Sequence, residues 1–429
     1  MSIHCWQSVI LTAALASVCC AQSLREAADR DGLLIGTAVR PSQLSETAYA
    51  STVAREFNMV EAEDAMKWWV LRPDRATYDF RQGDEVVRFA AAHQMKVRGH
   101  CLVWSHYNPD WLTHGQFNPR QLSRLLREHI ARVMKHYRGQ VFAWDVVNEA
   151  LDENGNLRDS LWYNQPGIGL SSEGTAYIEQ VFRWAHKADP QALLFYNEAE
   201  GEGMNRKSDA IYTMVKDFKR RGVPIDGVGL QLHIPMLDAD MPPIFAGISS
   251  NIARLAALGV QVHITELDVS LPLDASGLPK ADDLTRQAQA YRGIVRACLN
   301  GAGCTAIQTW GFTDKYSWIG SHSHGARGHA LLFDRAYQPK PAYCAVWEEL
   351  SAGRASDSKP RSTPSSTPIL ERPAAFESSP AAAPASIMSS GPFTARRPRL
   401  DGWTAGSAWC RPFQLDLLRL RSANASLSR

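Results

Sequence analysis

The sequence lacks a strong charge of either sign. Lysine and arginine (46) nearly balance aspartate and glutamate (44), for a net charge of +2. No broad field points to nucleic acid or to an acidic surface. Past the N-terminus, no apolar run is long enough for a membrane helix. No glycine-rich phosphate loop follows any strand-like run, which disfavours a doubly wound nucleotide-binding sheet. No internal repeat is evident, and no set of strand-end residues has metal-ligand spacing with an open position. No cofactor, no metal and no nucleic-acid partner are expected, and the chain is read as a monomer.

Basic residues are also missing ahead of the apolar stretch from Val9 to Val18, where only His4 stands. That stretch is too short to span a bilayer, and Cys19-Cys20-Ala21 supplies small residues for cleavage. Residues 1–21 are therefore read as an export signal, with a secreted or periplasmic location. Export would permit disulfides. Cys5, Cys19 and Cys20 would leave with the signal, so Cys101, Cys298, Cys304, Cys344 and Cys410 remain, an odd number. Cys298 and Cys304 flank a turn-rich spacer that a bridge could close. Cys101 lies in an apolar run and reads as a buried thiol. Cys344 and Cys410 stay unassigned.

What the sequence does have is alternation, with 45% apolar content to fill a core. Strand-like runs occupy Leu33–Val39, Phe57–Glu61, Lys96–Trp104, Val141–Asn148, Ala192–Asn197, Val228–His233, Val260–Thr265 and Thr305–Trp310. Amphipathic stretches separate them. Arg120 to Tyr137 is the clearest, and Ala176–Ala188, Lys207–Arg221 and Asp282–Leu299 are similar. Eight strand–helix repeats predict an α/β fold, a single (β/α)8 TIM barrel over residues 24–351. From residue 352 to 429 serine, proline, alanine and arginine dominate. Such a composition buries too little apolar surface to offset chain entropy, so a disordered tail is expected there.

In this fold, functional groups belong at the carboxyl ends of strands. Two glutamates stand out there: Glu149 after Trp144-Asp145-Val146-Val147-Asn148, and Glu266 in Val262-His263-Ile264-Thr265. A buried carboxylate without a partner costs several kcal/mol or more, so each needs a reason. Structural salt bridges would explain either alone. Both together, on non-adjacent strands, match the paired carboxylates of a glycoside hydrolase. Around them the strand ends collect Glu63, Asp64, Lys67, His100, Trp104, Asn148, Asn197, Glu198, Gln231, His233, Trp310 and Trp318. Hydrogen-bonding groups mixed with flat indoles fit the faces and hydroxyls of a sugar polymer. Other readings apply to single members. Most of the 13 tryptophans are expected to pack cores. His100 alone reads as a satisfied core histidine, Asp145 as a hydrogen-bonded barrel residue, and Glu63 as a solvated loop residue. His322, His324 and His329 read as a flexible substrate loop rather than a metal cluster.

Six stretches carry a closer resemblance. They are Ala65-Met66-Lys67-Trp68, Gly99 to Trp104, Trp144 to Glu149, Pro224 to His233, Ile264 to Asp268, and Trp310 to Asp314. In this order and spacing the chain resembles the retaining endo-β-1,4-xylanases of glycoside hydrolase family ten, over about residues 30–350. The resemblance implies that xylan is the substrate, that Glu149 is the acid/base and that Glu266 is the nucleophile. It implies that Asn148 meets the sugar 2-hydroxyl, that His233 bonds the nucleophile and that Gln231 supports the acid/base. Lys67, His100, Trp104, Trp310 and Trp318 would wall the glycone subsites, with Glu63 one sugar further out. One carboxyl must hold a proton while the other is ionised, so their surroundings must differ. Another β-1,4-glycan on the same site, or a non-catalytic glycan-binding barrel, are the alternatives.

The chain departs from the family at Glu63-Asp64, where Glu-Asn is usual. It departs at Trp104-Ser105-His106-Tyr107 in place of Trp-His-Ser-Gln, and at Tyr196-Asn197-Glu198-Ala199-Glu200 in place of Tyr-Asn-Asp-Tyr-Asn. These changes leave the catalytic pair alone and predict altered subsite affinity with hydrolysis retained.

Overall fold

A computed structural model describes residues 22–236 and 242–353. The export signal, Cys410 and nearly all of the expected tail lie outside the described residues. The tail boundary moves slightly, because the last helix runs from Pro341 to Ala352.

Eight parallel strands close into a barrel. In chain order they are Leu34–Val39, Met59–Ala62, Lys96–Trp104, Ala143–Asn148, Leu193–Glu198, Gly227–Leu230, Gln261–Pro272 and Cys304–Thr309. Each pairs with its sequence neighbour, and the eighth pairs with the first through Gly36↔Gln308, which completes the ring. Both faces of these strands are covered, so they read as near-continuous apolar runs. Helices wrap the outside. In Pro119–His136, the Asn118 side chain accepts from the Gln121 amide while Gln121 accepts from that of Asn118, and proline occupies the first turn. Leu122, Leu126, Ile130 and Val133 recur at helical spacing and are buried against the barrel. Cys298 and Cys304 form a disulfide (Cα–Cα 5.2 Å) joining the end of the helix Ala281–Asn300 to the eighth strand. Cys101 is buried and free, and Cys344 is also free.

Two strand expectations need correction. The sixth strand stops at Leu230 rather than continuing to His233, because Leu232 takes a left-handed conformation (φ +63°). His233–Pro235 then forms a separate short strand pairing with Asp268–Ser270. The seventh strand is longer than its apolar core and reaches Pro272. Glu266 thus sits within that strand, where its register against the eighth strand shifts between Ile264 and Leu267. The bulge re-aims the side chain, a usual role for such irregularities near active sites.

Candidate active site

Glu149 directly follows the fourth strand and has φ +54°, a conformation uncommon for a non-glycine residue. Its amide donates to the Asn197 carbonyl (3.0 Å), which ties the turn to the fifth strand. Three neutral donors reach its carboxylate. Gln231 Nε2 lies 2.9 Å and Asn148 Nδ2 3.2 Å from Oε1, and Trp104 Nε1 lies 3.1 Å from Oε2. Behind it, buried Glu198 accepts from the Leu151 amide (3.1 Å) and the Tyr196 hydroxyl (2.6 Å), and pairs with Lys207 (3.0 Å). Burial pushes the Glu198 carboxyl up to about 7, with Lys207 pulling down and Glu149 adding upward pressure.

Glu266 is 4% exposed and meets different company. Asn197 Nδ2 donates to its Oε1 (2.7 Å), and His233 Nε2 lies 3.1 Å from its Oε2. The other ring nitrogen of His233 is 2.8 Å from Asp268 Oδ2, which also accepts from Trp318 Nε1 (2.9 Å). Burial works against charge on His233, but Asp268 and Glu266 outweigh it and raise the imidazole well above its ordinary range. A protonated ring donates on both sides. Burial likewise pushes Glu266 up, yet the His233 hydrogen bond and the charges of His100 and His233 prevail, and its carboxyl lies below the usual glutamate range.

Asn197 links the two sides. Its amide donates to Asn148 Oδ1 (2.9 Å) as well as to Glu266, and Thr265 Oγ1 orients it by donating to Oδ1 (2.7 Å). Gly229 leaves room for it: a Cβ there would lie 2.1 Å from Asn197 Oδ1. Position at a strand end placed Asn197 near the site, but no role was read for it. Asp268 was also missed as a site residue. It lies two residues beyond Glu266 on one strand, a spacing that puts both on one face.

The cleft walls gather around this pair. The Lys67 ammonium lies 5.2 Å from the Trp104 ring and 5.6 Å from that of Trp310. Trp318 packs edge-on to His233 at 5.0 Å. Glu63 bonds Arg40 (2.5 Å), and Asp64 bonds Lys67 (2.9 Å), so Glu63 is an ion-paired, buried residue and not a solvated one. His100 serves core and cleft together. Its Nδ1 lies 3.0 Å from Asp145, while its ring meets Trp310 at 5.3 Å. Glu61, His100 and Asp145 place atoms close enough to ligate a cation, but Arg98 already sets its guanidinium among them on Asp145. The residues named from sequence, Glu63, Lys67, His100, Trp104, Asn148, Glu149, Gln231, His233, Glu266, Trp310 and Trp318, thus converge on one cleft. The histidine segment lies beside them, with the His322 ring 4.6 Å from that of Trp318. It is pinned, because Arg327 bonds Ser270 Oγ (2.9 Å) and the Met236 carbonyl (2.9 Å) and pairs with the end of the seventh strand. Trp162 is buried core, stacked on Trp68 at 4.9 Å, as expected of most of the tryptophans.

Known proteins agree with this architecture. Endo-1,4-beta-xylanase B of Thermotoga neapolitana is 41% identical over 300 residues, 70% of this chain and 82% of that protein. Endo-1,4-beta-xylanase 1 of Humicola insolens is 34% identical over 345 residues, 79% of this chain and 77% of that one. Among solved structures, native xylanase 10B from Thermotoga maritima superposes with a TM-score of 0.71 at 40% identity, covering 77% of this chain and 98% of its own. The profile of Glycosyl hydrolase family 10 matches residues 23–349, and the chain belongs to that family.

Proposed function

We propose that the protein hydrolyses internal β-1,4-xylosidic bonds of xylan with net retention, through a covalent glycosyl-enzyme. The observation that carries this reading is the unequal pair in one indole-walled cleft. Glu266 is held as an anion by His233, while Glu149 is met by neutral donors. In the first step a Glu266 oxygen attacks the anomeric carbon, the glycosidic C–O bond breaks, and the leaving oxygen takes the proton of Glu149. In the second, Glu149 takes a proton from water as that water attacks the anomeric carbon and frees Glu266. Asn148, held by Asn197, is positioned to meet the sugar 2-hydroxyl. The xylanase relatives and the family membership support xylan as the polymer.

Export of a monomer whose catalytic unit is residues 24–351 completes the proposal. The Cys298–Cys304 bond suits an oxidising compartment. The test is release of reducing sugar from xylan and from a soluble β-glucan, by wild type and by Glu266→Ala. Xylan turnover that collapses in the variant is expected. Undiminished turnover in Glu266→Ala would sink the paired-carboxylate reading, and preference for the glucan would reassign the polymer. Mass spectrometry of protein recovered from the medium should find residues 1–21 removed, and an intact N-terminus there would contradict the export reading.

A further inference from the structure

Two of the exposed large apolar side chains stand side by side at the rim of the cleft. Trp69 is 43% and Tyr107 51% exposed, with ring centroids 6.3 Å apart and planes tilted by 39°. Local structure explains why they point outward. Trp68 is locked inward, stacked between His129 (3.7 Å) and Trp162 (4.9 Å). Trp69 is the next residue of a single helical turn, Trp68–Leu71, and so faces away from that stack. Tyr107 has φ +53°. A left-handed conformation is unfavourable for an L-residue with a Cβ, and such outliers gather at binding sites. The strained turn is also tied down, because the Trp69 amide donates to the Tyr107 carbonyl at 3.1 Å. The two loops therefore present their rings as one fixed surface.

That surface is continuous with the cleft. Tyr107 stacks on Trp104 (5.1 Å, 27°), whose indole donates to Glu149. The Lys67 ammonium lies 4.4 Å from the centre of the Tyr107 ring and 5.2 Å from that of Trp104. The ion-paired residues Arg40, Glu63 and Asp64 flank the same end. Side chains that served packing alone would be buried, and these are about half in water. Flat aromatic faces beside a rim of hydrogen-bonding groups suit the apolar face of a pyranose ring. Resting on the xylan reading, we propose that Trp69 and Tyr107 form an additional sugar-stacking platform. It carries the same polysaccharide chain past Lys67 and Glu63, one or more units beyond the walls of the cleft.

Calorimetric binding of xylohexaose and of xylotriose tests this in a Glu266→Ala background, with and without Trp69→Ala or Trp69→Phe. Trp69→Ala should weaken xylohexaose by about three- to tenfold and leave xylotriose unchanged. Trp69→Phe should restore most of the loss. Equal affinity for xylohexaose with and without Trp69→Ala, or equal weakening of both oligosaccharides, would overturn the platform. Turnover of xylotriose by the wild-type protein reports the functional reading separately. Turnover without length-dependent loss would reject the platform alone, whereas absence of both binding and turnover would reject the two together.

Discussion

Glu149 and Glu266 face one cleft, yet their surroundings differ in kind. Around Glu149 the immediate donors are two amides and an indole, none of which carries charge. Around Glu266 one amide shares the work with an imidazole that Asp268 keeps protonated, and His100 adds positive charge from behind. Glu149 follows the fourth strand and Glu266 lies at the bulge of the seventh, and the two contact the same Asn148–Asn197 pair. Their difference therefore comes from the groups that hydrogen-bond them, with His233, backed by Asp268, on one side and Gln231 and Trp104 on the other. Chemical identity alone would make the two interchangeable, and it is the supporting shell that divides acid/base work from nucleophilic work.

The largest expected effect breaks the comparison outright. Glu266→Ala and Glu149→Ala should each lose activity on xylan by orders of magnitude, but azide should rescue them to opposite products. Without Glu266, azide fits the space of the missing carboxylate and attacks the anomeric carbon directly, with Glu149 still protonating the leaving group. One displacement inverts, giving an α-glycosyl azide. Without Glu149, the glycosyl-enzyme still forms from a substrate with a good leaving group, and azide then attacks it to give the β-product. Proton NMR of the two azides would decide. The same anomer from both variants would mean that the roles are not divided as argued.

A smaller effect sharpens the comparison. His233→Gln removes the charge that depresses Glu266 while keeping a hydrogen-bonding group. The direction follows from the shift. A carboxyl held below its usual range is ionised above that lowered value and protonated as pH falls through it. With His233 gone, Glu266 should titrate higher, so the acid limb of kcat/KM should move to higher pH. Because His233 itself is raised well above the ordinary histidine range, its support should persist through neutral pH in the wild type. Loss of one charged hydrogen bond to the nucleophile should lower kcat by about ten- to a hundredfold. An unmoved acid limb would show that the imidazole does not set the charge of Glu266.

Much of this was legible in the sequence, for identifiable reasons. Eight apolar runs between amphipathic helices encode a barrel because strands covered on both faces must be apolar and helices covered on one face must alternate. The Arg120–Tyr137 expectation falls within one residue of the helix Pro119–His136, whose start is marked by its Asn118–Pro119 cap. The strand-end rule then found both glutamates without any contact information. What could not be read depends on backbone irregularity. Nothing local announces that Leu232 turns left-handed, and so the expected sixth strand ran through it to His233. The extension of the seventh strand past Glu266 depends on pairing with His233–Pro235 and Arg327–Gly328, segments that are distant in sequence. The contacts that hold Arg327 within the histidine segment, on Ser270 of the seventh strand and on Met236, are likewise distant in sequence.

The smallest effect comes from a residue that touches neither carboxylate. Leu232 separates Gln231, which donates to Glu149, from His233, which supports Glu266. Its left-handed turn is what aims the two neighbours at opposite members of the pair. The carboxylate of Glu202 holds that turn, accepting from the Leu232 amide at 3.1 Å and from the Glu200 amide at 2.9 Å. Asn251 in turn fixes the Glu202 backbone carbonyl (3.1 Å). In Glu202→Ala the Leu232 amide loses its acceptor, a loss of about 1–3 kcal/mol for a buried group. Both arms should loosen together, so kcat should fall by about three- to tenfold with little change in KM. Glu202→Gln keeps an oxygen acceptor and should recover most of the rate, because the requirement is for an acceptor and not for charge. A variant that melts earlier yet turns over at the wild-type kcat would make Glu202 a stabilising residue only. The division between Glu149 and Glu266 would then rest on Gln231 and His233 without the turn that joins them.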